Sequence, residues 1–135
     1  MLKTVLNGVT LKNPVIAASG TFGFGQEYDQ FFDISRLGGI SSKGLTLEER
    51  FGNEGERVYE TPSGLINSIG LQNPGVDAFI REELPFLRRF DVKVIANISG
   101  NTPEEYGEIY EKGGGRHQRF HIENSDLVDA GLVDE

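Results

Sequence analysis

The sequence contains no cysteine, which excludes disulfides, thiolate metal sites and a cysteine nucleophile or base from its 135 residues. Basic residues are also scarce: 13 Lys and Arg stand against 21 Asp and Glu, for a formal charge of -8. Phosphate backbones are gripped by clustered Lys and Arg, so this balance argues against a nucleic-acid surface. No apolar run approaches the roughly 20 residues of a membrane span, and the start "MLKTVLNGVTLKN" has too short an apolar stretch for a signal sequence. A cytoplasmic location is therefore the expectation. The hydrophobic share of 37% can supply one core, and the length suits one compact domain.

What is present alternates between strand-like and helix-like stretches. In "VTLKNPVIAASG" the continuous Val15, Ile16, Ala17 and Ala18 predict a parallel strand covered on both faces, ended by Ser19-Gly20. Tyr28, Phe31, Phe32 and Leu37 predict a helix closing on Gly38-Gly39, and "ISSKG" reads as a short strand after it. The charged stretch from Leu45 to Pro62 has turn signals and no clean period, so it reads as a long surface loop. Val76, Phe79, Ile80, Leu84 and Leu87 share one side of a helix that Pro85 should kink or end, and "DVKVIANISG" supplies another buried strand. A further helix is expected in "NTPEEYGEIYEK", with Thr102 as N-cap, Pro103 at the first position and Glu105 completing a capping box.

Such alternation predicts right-handed βα units around a parallel sheet, an α/β fold of the doubly wound or (β/α) barrel type. About three to four units are visible, whereas a complete barrel needs eight and typically about 250 residues. The expectation is the N-terminal portion of a (β/α)8 TIM barrel over residues 1–112, truncated there. A tail at 113–135 shows no βα continuation.

In parallel α/β proteins, polar groups at the carboxyl ends of the strands build the site. Ser19, Lys43 and Asn97 end three successive strands and could aim a hydroxyl, an ammonium and an amide at one pocket. Ser19 alone reads as a turn hydroxyl. Lys43, a lone cation among apolar and small residues, must reach solvent, a carboxylate or an anionic ligand. Asn97 interrupts an apolar run and needs a partner, for which a backbone group would suffice. "TFGFG" lacks both the P-loop ending and the dinucleotide spacing, and reads as a glycine loop with aromatic anchors. His117 and His121 have i, i+4 spacing but no third ligand, so no metal site is expected.

The blocks "NPVIAASGTFGFG", "SSKGLTLEERFGN", "ETPSGLINSIGLQNPG" and "VIANISG" resemble, in order and spacing, the N-terminal part of bacterial class 1B dihydroorotate dehydrogenases. The resemblance runs from about residue 1 to 112. It implies an FMN enzyme that oxidises dihydroorotate to orotate in pyrimidine (UMP) biosynthesis. Electrons would leave to NAD through a partner subunit carrying FAD and an iron-sulfur cluster, and the full-length chain would form a homodimer within a heterotetramer. By the same resemblance Ser19, Gly20, Lys43, Gly44 and Asn97 would contact the flavin. Lys43, Asn67, Ser68, Ile69, Gly70 and Leu71 would hold the substrate, through backbone N–H groups, the Asn67 amide and the Lys43 ammonium at the carboxylate. Neutral, directional donors suit a planar ring rich in carbonyl and N–H groups.

The family's catalytic base is a cysteine in an "NxSCPN" segment on the next strand, and this sequence has none. No catalytic residue is therefore assigned, and activity of this chain alone is not expected. The alternatives are a non-catalytic barrel fragment or another flavin barrel, such as a dihydropyrimidine dehydrogenase-type reductase.

Overall fold

A computed structural model describes residues 2–6 and 8–114, together with the backbone at 120–121. The chain opens with an antiparallel pair, β1 (Thr4–Leu6) and β2 (Val9–Leu11). There follow β3 (Ile16–Ala17), the single-turn helix α1 (Gln26–Asp29), a 3-10 turn (Ile34–Arg36) and β4 (Gly39–Ser41). A second antiparallel hairpin joins β5 (Val58–Thr61) to β6 (Gly64–Asn67). Then come α2 (Val76–Ala78), a π-helical turn (Phe79–Glu83), α3 (Leu84–Leu87), β7 (Lys93–Asn97), α4 (Pro103–Lys112) and β8 (Phe120–His121).

The main sheet has the order β3-β4-β7-β8, every pair parallel. Each strand of this sheet lies beside the one before it, and among the described residues the order does not reverse as it does in a doubly wound sheet. The helices cover it: Phe79, Leu84 and Leu87 pack with Ile34, Ile40, Leu45 and Ala96, while Tyr106 and Ile109 meet Val76 and Ile98. The apolar periodicity from Val76 to Leu87 thus faces the sheet, as do Tyr106 and Ile109 of α4, and the fold is α/β.

Six local readings are corrected. Val15 and Ala18 are exposed, because β3 is short and lies at the end of the sheet order, paired on one side only. The helix expected from Tyr28 to Leu37 is two separate turns. Phe22 stacks on Tyr28 at 4.5 Å and faces Phe32 at 6.2 Å, so the apolar spacing serves an aromatic cluster instead of one helix face. Pro85 neither ends nor visibly breaks its helix. The preceding turn is π-wound, with the Leu84 N–H donating five residues back to the Phe79 carbonyl, and the wider turn accommodates a residue that has no N–H to give. In the capping box Thr102 Oγ1 accepts from the Glu105 N–H at 3.3 Å, but Glu105 Oε2 accepts from the Asn101 N–H at 2.6 Å, one residue earlier than the usual N-cap partner. Finally, the stretch expected to be a surface loop contains β5. β8 likewise adds a parallel strand in a segment that was expected to show no βα continuation.

Glu83 accepts from Gln26 Nε2 at 2.8 Å. Partial burial pushes its carboxyl above the usual range, opposed by the Gln26 bond and assisted by neighbouring Glu82. A carboxyl raised on folding disfavours the native state when ionised, so its contribution is most favourable in acid and is lost as pH rises through the folded value. Glu83→Gln should therefore raise the urea midpoint relative to the parent chain at neutral pH, and the advantage should vanish near pH 4. A constant difference across that range would contradict this.

Candidate functional site

The carboxyl ends of β3, β4 and β7 meet. Asn97, closing β7, donates from Nδ2 to Ser19 Oγ just beyond β3 at 2.8 Å. Its backbone N–H donates to Ser42 Oγ at 3.1 Å, and its carbonyl accepts from the Leu45 N–H at 2.9 Å. Ser42 is fully buried and donates to the Lys43 carbonyl at 2.9 Å, which fixes the backbone that presents Lys43. The Asn97 amide thus has the partner its place in an apolar strand demanded, and that partner is the Ser19 side chain. Asn97 Oδ1 receives no hydrogen bond among the described residues.

Lys43 is half-buried and makes no ion pair or hydrogen bond through its ammonium among the described residues, where the recorded ion pairs join Lys12 to Asp91, Arg81 to Glu82 and Lys112 to Asp77. Beside it, Gly44 allows a close approach: a Cβ there would lie 2.8 Å from Leu71 Cδ1 and 3.8 Å from Asn97 Nδ2. Gly20, with φ 79, faces open space, since a Cβ would meet nothing within 4 Å.

Leu71 belongs to an arm clasped at its base. The Arg50 N–H donates to the Asn73 carbonyl at 2.9 Å, and the Asn73 N–H returns to the Arg50 carbonyl at 3.0 Å. Farther out, the Asn53 N–H donates to the Ile69 carbonyl at 3.0 Å, and its Nδ2 reaches both the Ser68 carbonyl and Ser68 Oγ. A Cβ on Gly70 would come within 2.5 Å of Asn53 Oδ1, so this turn needs glycine for space as well as for its φ of 76. Beyond the turn stands the β5–β6 hairpin, with Val58, Tyr59, Leu65 and Ile66 between 55% and 69% exposed.

Of the five consecutive residues 67–71, the structure draws only Leu71 against the strand ends. Asn67 is exposed at the end of β6. The Ser68 N–H is spent on the Arg57 carbonyl at 2.8 Å, so it is not among the open backbone donors of this segment. The N–H groups of Ile69, Gly70 and Leu71 meet no acceptor among the described residues. Sequence reading missed Ser42, Asn53 and Asn73. Their only signal was amide or hydroxyl character in stretches that were read for other positions. The same reading took the charged stretch from Leu45 to Pro62 as a surface loop, with no partners for its arginines. Instead, Arg50 Nη2 donates to Asn101 Oδ1 at 2.7 Å, and Arg57 Nη1 donates to the Phe51 carbonyl and to Gln72 Oε1.

Among the described residues no three His, Asp or Glu side chains gather as metal ligands. His117 lies outside those residues, and His121 is described only in its backbone. No helix among the described residues is long and apolar enough to cross a membrane.

The molecule is thus an α/β protein that gathers donor groups at the carboxyl ends of parallel strands, beneath a clasped arm. The family model for dihydroorotate dehydrogenase matches residues 1–123, and the chain belongs to that family. It is 62% identical over 114 residues to the "Dihydroorotate dehydrogenase B (NAD(+)), catalytic subunit" of Petrotoga mobilis, a match covering 83% of this chain and 38% of that protein. The protein of the same name from Thermoanaerobacter pseudethanolicus is 56% identical over 111 residues, covering 82% of this chain and 37% of its own length. The chain therefore spans well under half the length of these curated relatives. A crystal structure of the Eimeria tenella dihydroorotate dehydrogenase in complex with ferulenol superposes with a TM-score of 0.68 at 19% identity, covering 90% of this chain and 36% of that one. That likeness supports the fold alone.

Proposed function

We propose that this chain forms the opening arc of the FMN-binding catalytic subunit of a class 1B dihydroorotate dehydrogenase, which oxidises dihydroorotate to orotate in pyrimidine biosynthesis. The observation that carries the reading is the uncommitted Lys43 ammonium at strand ends locked together by Asn97 and Ser19. The sequential order β3-β4-β7-β8 supports a (β/α)8 barrel, with residues 1–112 as its first units and β8 continuing the same parallel sheet.

The residues fit a flavin in their donor chemistry and space. Ser19, Gly20, Lys43, Gly44 and Asn97 would hold it, the open backbone at Gly20 leaving room and Asn97 Oδ1 remaining available. FMN, when bound, supplies the two-electron acceptor for the oxidation. This chain's part is to bind and orient the substrate. Lys43 neutralises the carboxylate, the Ile69, Gly70 and Leu71 N–H groups and the Asn67 amide read the ring, and Leu71 shields the contact over Gly44 from water. The proton-accepting cysteine that the resemblance implies is not among these residues. The reading includes a cytoplasmic assembly with a subunit carrying FAD and an iron-sulfur cluster, through which electrons pass to NAD, and homodimerisation of the complete subunit.

Titrating the chain with orotate and with uracil, followed by amide shifts at 67–71, tests the reading. Saturable shifts with orotate, and weaker binding of uracil, are expected. Equal responses, or none with orotate at millimolar concentration, would reject the assignment.

A further inference from the structure

We infer that Asn73 is a positioning residue that sets the substrate-facing turn. Asn73 is only 4% exposed, and both ends of its carboxamide are hydrogen-bonded. Oδ1 accepts from the Thr46 N–H at 3.0 Å and from the Gly75 N–H at 2.9 Å, and lies 3.1 Å from Thr46 Oγ1, whose one hydrogen it shares with the Glu48 carbonyl, while Nδ2 donates to the Leu71 carbonyl at 2.8 Å. Two backbone N–H donors on Oδ1 settle which end of the amide is which.

The carbonyl it holds belongs to an unusual residue. Leu71, at φ 54, is the sole non-glycine residue with positive φ among those described. For a leucine this conformation is strained, because Cβ crowds the following carbonyl, and it persists only where the surroundings fix it. One side of the restraint is Leu71 Cδ1 seated against Gly44, and the other is the Asn73 Nδ2 bond. Asn73 also grips Thr46, which follows Lys43, Gly44 and Leu45 in the chain. One buried amide therefore couples the Lys43 backbone to the turn whose Ile69, Gly70 and Leu71 N–H groups stand open. It fixes the spacing between an anion-binding ammonium and a row of neutral donors, which is the geometry a carboxylate-bearing ring requires. This last step rests on the orotate reading above; the restraint on the turn does not.

Asn73→Asp separates the two halves of the amide. The aspartate keeps acceptors for Thr46 and Gly75 but turns an oxygen toward the Leu71 carbonyl. In the full chain, the amide resonances of Ile69, Gly70 and Leu71 should move while those of β7 and α4 stay in place, and orotate affinity should fall about tenfold. Thr46→Ala removes the hydroxyl that Asn73 Oδ1 shares with the Glu48 carbonyl, and leaves the two backbone N–H donors on Oδ1 in place. It should displace the same resonances by less, and it decides the matter if Asn73→Asp does not fold. Unmoved resonances at 69–71 would overturn the inference whatever happens to orotate. Moved resonances in a chain whose parent does not bind orotate would uphold the positioning and reject the functional reading alone.

Discussion

Lys43→Met is expected to weaken orotate binding about a hundredfold while changing uracil binding little. A charge-assisted contact removed from a half-buried site costs up to ~3 kcal/mol, and each 1.4 kcal/mol is tenfold in affinity. The discrimination between the two ligands carries the test, because uracil has the ring but no carboxylate. The ammonium meets no acid among the described residues, so the substitution breaks no ion pair there and should leave the urea midpoint nearly unchanged. An equal loss for both ligands would mean that Lys43 shapes the pocket without reading the carboxylate. Calorimetric titration of both ligands against both chains distinguishes these outcomes.

Gly38→Ala should lower stability by about 3 kcal/mol, near the upper end for overpacking. Gly38 is buried where the chain enters β4, and its N–H donates to the Val15 carbonyl at 2.9 Å. A Cβ there would overlap the Asn13 carbonyl oxygen and lie 3.0 Å from its carbon, and both are backbone atoms that cannot rotate aside. Asn13 is itself held, its Nδ2 donating to the Arg36 carbonyl at 2.9 Å. Gly107→Ala is the counter-example: it sits within α4 with nothing within 4 Å of a new Cβ. There alanine should stabilise by about 0.5–1 kcal/mol through helix propensity. Urea midpoints of the two variants moving in opposite directions would confirm the contrast. A neutral Gly38→Ala would contradict the close approach.

Which of these features the sequence disclosed follows from what each depends on. The helix face of Val76, Phe79, Leu84 and Leu87 was legible because burial against a sheet imposes a 3.6-residue period, and α4 was legible from its capping residues Thr102 and Pro103. Ser19, Lys43 and Asn97 were legible as polar residues at the ends of apolar runs. The Phe22, Tyr28 and Phe32 cluster imitated a helix because aromatic packing through space can share helical spacing without helical backbone. β5 was hidden because its apolar residues are exposed, so no burial pattern marks them. Asn73 was hidden for a different reason. Its partners at Thr46 and Leu71 are defined only once the arm folds back, and an asparagine before a proline otherwise reads as a turn residue.

The reciprocal Arg50 and Asn73 bonds have a bearing on how such proteins can diversify. They pinch off the segment between them at a narrow neck, so the outer part of that excursion can be recut, lengthened or exchanged while β4 and β7 remain paired in the same register. The arm and the parallel sheet would then be inherited as separable modules, with the neck as the seam along which one can be swapped without refolding the other.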